Sequence, residues 1–191
     1  MTHCVGRSLA QIESGVAAAL REDAADEQES AAAVAEVIAR DLNESAATGT
    51  AFLSAVSALA YGATHAAVHA HGTTSRVATG FIIGVMLVGA HRERRLLAVI
   101  EHAAGTFVKH VIEAHGDVAA AARGLVMGAV SWAGESGVDA TAAAAAAGQG
   151  AVDAAEDVGR SSGVKVRESL GRGPIAGVVV PLKVRAEPAQ R

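Results

Sequence analysis

This chain is poor in the residues that usually punctuate or anchor a fold. Its three prolines, Pro174, Pro181 and Pro188, all lie near the C-terminal end, so nothing upstream forces a helix to stop. Cys4 is the only cysteine. That excludes a disulfide framework within one chain and fits a reducing compartment. The N-terminus lacks a basic segment followed by an apolar run, so no secretory leader is expected. Aromatic residues make up only 3% of the chain although hydrophobic residues make up 51%. Alanine, about a quarter of all positions, fills the gap. Alanine buries little area per residue, so an Ala-dominated monomer builds a thin core. Long, closely packed helices that self-associate are the expected solution.

Charge is also missing, and locally. Across 45–90 the one formally charged side chain is Arg76. A soluble helix normally carries charge along its wet face. A stretch this neutral is expected to be sheltered by a core, an oligomer interface or lipid. Acidic residues dominate before it: 1–44 carries Arg7, Arg21 and Arg40 against nine Asp or Glu. The end is basic, with seven Lys or Arg in 158–191 against Glu168 and Glu187. That polarity suits head-to-tail or partner contacts. The basic end has no aromatics on which bases would stack, so no nucleic-acid partner is expected.

What is present reads as helix throughout. Four regions are distinguished: an acidic amphipathic region 1–44, an uncharged apolar region 45–90, Ala/Gly-rich repeated helices in 91–170, and an extended arm in 171–191. Ser8 with Gln11 forms a capping box, followed by Leu9, Ile12, Val16 and Leu20 at helical spacing. The polar run 21–29 is a loop or a solvated face, and spacing resumes at Val34, Val37, Ile38 and Leu42. The first region is one amphipathic helix or a hairpin of two. The sequence 72–75 (GTTS) breaks the uncharged region in two. Beyond 95 a degenerate repeat of about 22 residues recurs at 106–115, 128–137 and 150–159. Gly or His115-Gly116 closes each unit, and Asp117, Asp139 and Ser161 or Ser162 stand where N-caps would open the next. A string of short helices joined by tight turns accounts for this; a repeated docking unit is the sharper alternative. Small-xxx-small pairs at Gly80/Gly84, Ala120/Gly124 and Gly124/Gly128 permit close helix contact in lipid or in a tight oligomer. The Val-rich segment 175–184 contains Pro181, which restricts it to an edge strand or an extended arm.

No phosphate loop, nucleophile elbow or Ser/His/Asp arrangement is legible, and no catalytic residue is assigned. His65 and His69 share a helix face at a spacing that suits a metal, but no Cys, Asp or Glu stands near them in sequence. The preferred reading is polar marks on an otherwise uncharged helix, lining a wet lumen or an interface. The paired Glu-x-x-His motifs of a di-iron bundle are absent. Trp132 sits among small residues, where it fills a helix interface or anchors a partner.

Two Gly-punctuated segments carry a family resemblance. One runs from Gly137, Val138 and Asp139 through the alanine run 142–147 to Gly148; the other is 150–159 (GAVDAAEDVG). With 173–183 (GPIAGVVVPLK), they make 105–184 similar to the scaffold or stalk subunit of Huc-type, high-affinity nickel–iron hydrogenases. The resemblance implies a non-catalytic subunit, several copies of which form a hydrophobic tube. That tube would hold the hydrogenase large and small subunits, tether them to a membrane and deliver quinone to their electron-exit clusters. Tyr61 and Trp132 are the only amphipathic aromatics, so no interfacial belt marks a bilayer.

The expectation is therefore an all-α, elongated homo-oligomer of fewer than ten copies, cytoplasmic and peripherally associated with the inner membrane. It binds no cofactor of its own, and quinone is its cargo. The apolar lining, or lipid and quinone contact, is assigned to Phe52, Leu53, Val56, Leu59, Phe81, Ile82, Ile83, Val85, Met86, Leu87 and Val88. Partner contact is assigned to Trp132, Ile175, Val178, Val179, Val180 and Leu182. The alternatives are a phasin-like coat of a lipid or polyester granule, adhering through the same apolar region, and a small helical enzyme or metal protein founded on His65 and His69.

Overall fold

A computed structural model describes residues 8–20, 27–70, 73–93 and 95–183. These residues form eight helices: α1 Leu9–Ala19, α2 Glu27–Ser45, α3 Gly49–His69, α4 Thr74–Arg92, α5 Leu96–Glu113, α6 Val118–Ser136, α7 Ala140–Val158 and α8 Arg160–Gly171. The first region is thus a pair of helices, and part of the polar run between them, 21–26, lies outside the described residues. So do His71 and Gly72, the first residue of the expected break 72–75; Thr73 donates from Oγ1 to the Ala70 carbonyl at 2.6 Å, and Thr74 and Ser75 already belong to α4.

The helices alternate between two rows. The even-numbered helices stack side by side as α2–α4–α6–α8 and the odd-numbered ones as α1–α3–α5–α7, with consecutive helices packed across the rows. Within a row the chain runs in one direction. Gly80 faces Val34 and Gly84 faces Ile38, so α4 lies parallel to α2. One step on, Gly124 faces Ala78 and Gly128 faces Ile82, so α6 repeats the arrangement on α4. The 22-residue period is one helix plus its turn, and two periods return the chain to the same row.

Glycine makes these seams close. A Cβ at Gly84 would lie 2.7 Å from both the Ala35 carbonyl and Ile38 Cβ, and one at Gly128 would lie 2.6 Å from the Thr79 carbonyl. No real side chain tolerates such contacts, so two backbones meet where most helices interpose side chains. The small-xxx-small pairs expected to serve lipid or an oligomer thus bind helices of one chain. Thr79 Oγ1 also donates across the seam to the Gly124 carbonyl, at 3.0 Å.

The caps largely follow the sequence. Gln11 accepts from the Ser8 N–H at 2.8 Å, and Asp117 and Asp139 each accept from two N–H groups of the turn they open. Gly137 closes α6 in the left-handed region at φ 72°, where a Cβ would be strained. His115 takes the same region after α5 at φ 56°. Ser161 and Ser162 do not cap α8; they lie inside its first turn, after Gly159.

The core is continuous from Ile12 to Val180 and crosses all four sequence regions. Its largest members include Phe52, Phe81 and Phe107, with the last two rings 5.0 Å apart between α4 and α5.

Candidate functional site

The residues expected to line a conduit are mostly inside this core. Phe52, Val56, Leu59, Phe81, Ile82, Val85 and Met86 are inaccessible to solvent, and Val88 nearly so. Leu53 and Ile83 pack against the core half-buried, and only Leu87 is exposed. The shelter expected from sister molecules or lipid comes instead from α2, α5 and α6 of the same chain, because α4 is an inner member of its row. By length and composition α3 and α4 could each cross a membrane, with mean hydropathy 1.3, but more than half of each apolar window is buried in the chain. A core helix meets the same criterion.

The expected C-terminal arm is folded back. Ile175 and Val178 exchange backbone hydrogen bonds of 2.9 and 3.0 Å around Ala176 and Gly177, both at positive φ, which makes a tight turn. No extended strand occurs among the described residues. Val180 and Leu182 then lie over Gly148 of α7. The Lys183 N–H donates to Gln149 Oε1 at 3.0 Å, and its carbonyl accepts from Arg167. Ile175, Val180 and Trp132 are buried, Val178 and Leu182 are half-buried, and Val179, 72% exposed, is the free member of the proposed contact set. Residues 184–191 lie outside the described residues.

Polar chemistry gathers elsewhere, along the outer edge of α1, α3 and α5. Tyr61, His65 and His69 follow one another at four-residue spacing on α3 and share a face. The Tyr61 and His65 rings are 4.7 Å apart, and those of His65 and His69 are 5.9 Å apart. His110 of α5 meets Tyr61 edge-on at 5.3 Å and bonds Glu113 Oε2 through Nδ1 at 2.8 Å. From α1, Glu13 Oε1 comes to 3.5 Å from His65 Nδ1. One ligand atom from each of Glu13, His65 and His69 lies within 4.8 Å of the others.

This convergence has a packing cause. Ile12 is buried and sits against Gly62, whose added Cβ would lie 2.7 Å from Ile12 Cγ2. That contact fixes α1 on α3 and sets the next residue, Glu13, beside His65, one turn on from Gly62. The carboxylate judged missing from the sequence is 52 positions away along the chain, so only the tertiary contact reveals it.

Two other polar groupings lie elsewhere on the surface. His102 joins α5 to α3 through Ser57 Oγ at 3.0 Å and the Leu53 carbonyl at 3.3 Å. A surface furrow of about 660 Å³ runs between α5 and α7, lined by Glu101, His102, Lys109, Asp153 and Asp157 over the close approach of Gly105 and Gly150.

No protein-family model, curated protein or solved structure matches this chain.

Proposed function

We propose that this protein is a non-catalytic helical scaffold, a homo-oligomer that holds the large and small subunits of a nickel–iron hydrogenase near a membrane surface. The observation that carries the reading is the two-row stack of helices. Stacked helix pairs that contact mainly their neighbours present broad outer faces, and such arrays serve as binding platforms. The resemblance of 105–184 supplies the partner's identity, and the buried state of the α3 and α4 residues narrows the role. Those side chains fill the monomer, so a quinone path would run along outer faces or between copies, not through the lining first assigned to it.

Purification from the native host in mild detergent tests this. A nickel–iron large subunit co-eluting with an oligomer of this chain is the expected result. A monomer in sedimentation, with no redox subunit in the eluate, overturns it.

A further inference from the structure

We infer that Glu13, His65 and His69 form a divalent transition-metal site of the zinc class that fastens α1 to α3. The assignment is independent of the scaffold reading.

Three features carry it. First, the donor set is two imidazoles and one carboxylate. Imidazole disfavours the hard cations magnesium and calcium and suits zinc and its neighbours. Second, the geometry is nearly closed. Two ligand atoms on one tetrahedral zinc stand about 3.4 Å apart, given zinc–nitrogen and zinc–oxygen bonds near 2.1 Å. Glu13 Oε1 and His65 Nδ1 are already at 3.5 Å, and the His69 ligand atom needs to move by little more than 1 Å from a spread of at most 4.8 Å. The 3.5 Å separation is longer than a good hydrogen bond, so carboxylate and imidazole converge without being satisfied by each other. Third, the backbone that brings them together is rigid. His65 and His69 are on one face of a 21-residue helix, and Ile12 against Gly62 registers α1 to it.

Three protein ligands leave a fourth position, which water would fill at this half-exposed edge. His110, bonded to Glu113 and edge-on to Tyr61, flanks the site without joining it. The ion would bridge two helices that otherwise meet through small and aliphatic side chains. Metal uptake and docking of the first helix should therefore be one coupled event.

The test is calorimetric titration of the full chain, without an affinity tag and stripped by chelator, with zinc chloride. One ion per chain is expected. His65→Ala and His69→Ala should each weaken binding by roughly 100-fold or more, because each removes one of three ligands. Glu13→Gln should weaken it by at least roughly tenfold, and His91→Ala, on α4, should leave it unchanged. Hydrogen exchange supplies a second readout, since zinc should slow amide exchange in α1 in the parent chain and not in Glu13→Gln. Absence of uptake by the folded chain overturns the site. So does uptake that survives the double substitution of both histidines. Uptake unaltered in Glu13→Gln, with no protection of α1, overturns the bridge.

Discussion

The two rows of helices stack by one rule and differ in what their seams contain. In the even row, α4 meets α2 and α6 meets α4 through pairs of glycines one turn apart, with aliphatic side chains and backbone opposite. Hydroxyls bond backbone carbonyls across these seams, Thr79 to Gly124 and Ser169 to Ala119, and guanidiniums do the same where Arg92 of α4 reaches Leu42 of α2 and Arg123 of α6 reaches Ser169 of α8. In the odd row Gly62 sets the approach of α1 to α3, and Gly105 and Gly150 face each other between α5 and α7; imidazoles border the row, His102 on Ser57 and His65 beside Glu13. The even row closes on glycine and aliphatic side chains and carries its charge on guanidiniums that bond backbone carbonyls; the odd row keeps imidazoles at its edge. An uncharged stretch therefore needs no partner molecule if its neighbours in the row are small enough to close over it.

The strongest challenge to this contrast is a carboxylate at the aliphatic centre of the even row. Ile82→Asp should cost more than about 4 kcal/mol, because Ile82 is inaccessible and packs on Gly128. Circular dichroism and urea unfolding would read the loss. If the variant folds and merely leaves the membrane, the residue belongs to a lipid-facing surface and the packing described here is wrong.

Next come the glycines. Gly84→Ala and Gly124→Ala should each destabilise by about 1–3 kcal/mol through overpacking. Gly62→Ala should do the same by pushing on Ile12, and should loosen α1 first. Gly134→Ala has the opposite sign. This glycine is in α6 with open space around it, so alanine should stabilise by about 0.5–1 kcal/mol. Equal effects at Gly84 and Gly134 in denaturant unfolding would abolish the distinction between seam and surface.

Smaller effects follow at the turns and the tail. Asp139→Ala removes two hydrogen bonds at the start of α7 and should cost about 1 kcal/mol. Val179→Asp should change stability by less than about 0.5 kcal/mol, because this side chain is largely in water. If it weakens co-purification with a partner while thermal unfolding stays put, the tail's free valine is a contact.

Local chemistry was the legible part of the sequence. The Ser8 box, the Asp117 and Asp139 caps and the Gly137 stop all depend on neighbours within a few residues, and so does the 22-residue rhythm. The destination of the apolar face was not legible. Val85 and Met86 carry the same hydropathy whether lipid, a sister chain or α6 covers them. Small-xxx-small spacing announces close contact without naming the contacting helix, so Gly80 and Gly84 read as lipid or oligomer motifs although they meet α2. Glu13 was missed for a related reason, since its relation to His65 exists only through Ile12 and Gly62. Pro181 suggested an edge strand or an extended arm, and nothing local revealed that Val180 and Leu182 return to Gly148.

The tail clasp has a consequence for anyone who trims this chain. Cutting before Pro174 would strip the roof from Gly148 beside Leu170 and leave Gln149 and Arg167 without their strap. Molecules so shortened would stick to one another through the bared face of α7. Their clumping would counterfeit a natural assembly, so stoichiometry is best weighed on the untrimmed polypeptide.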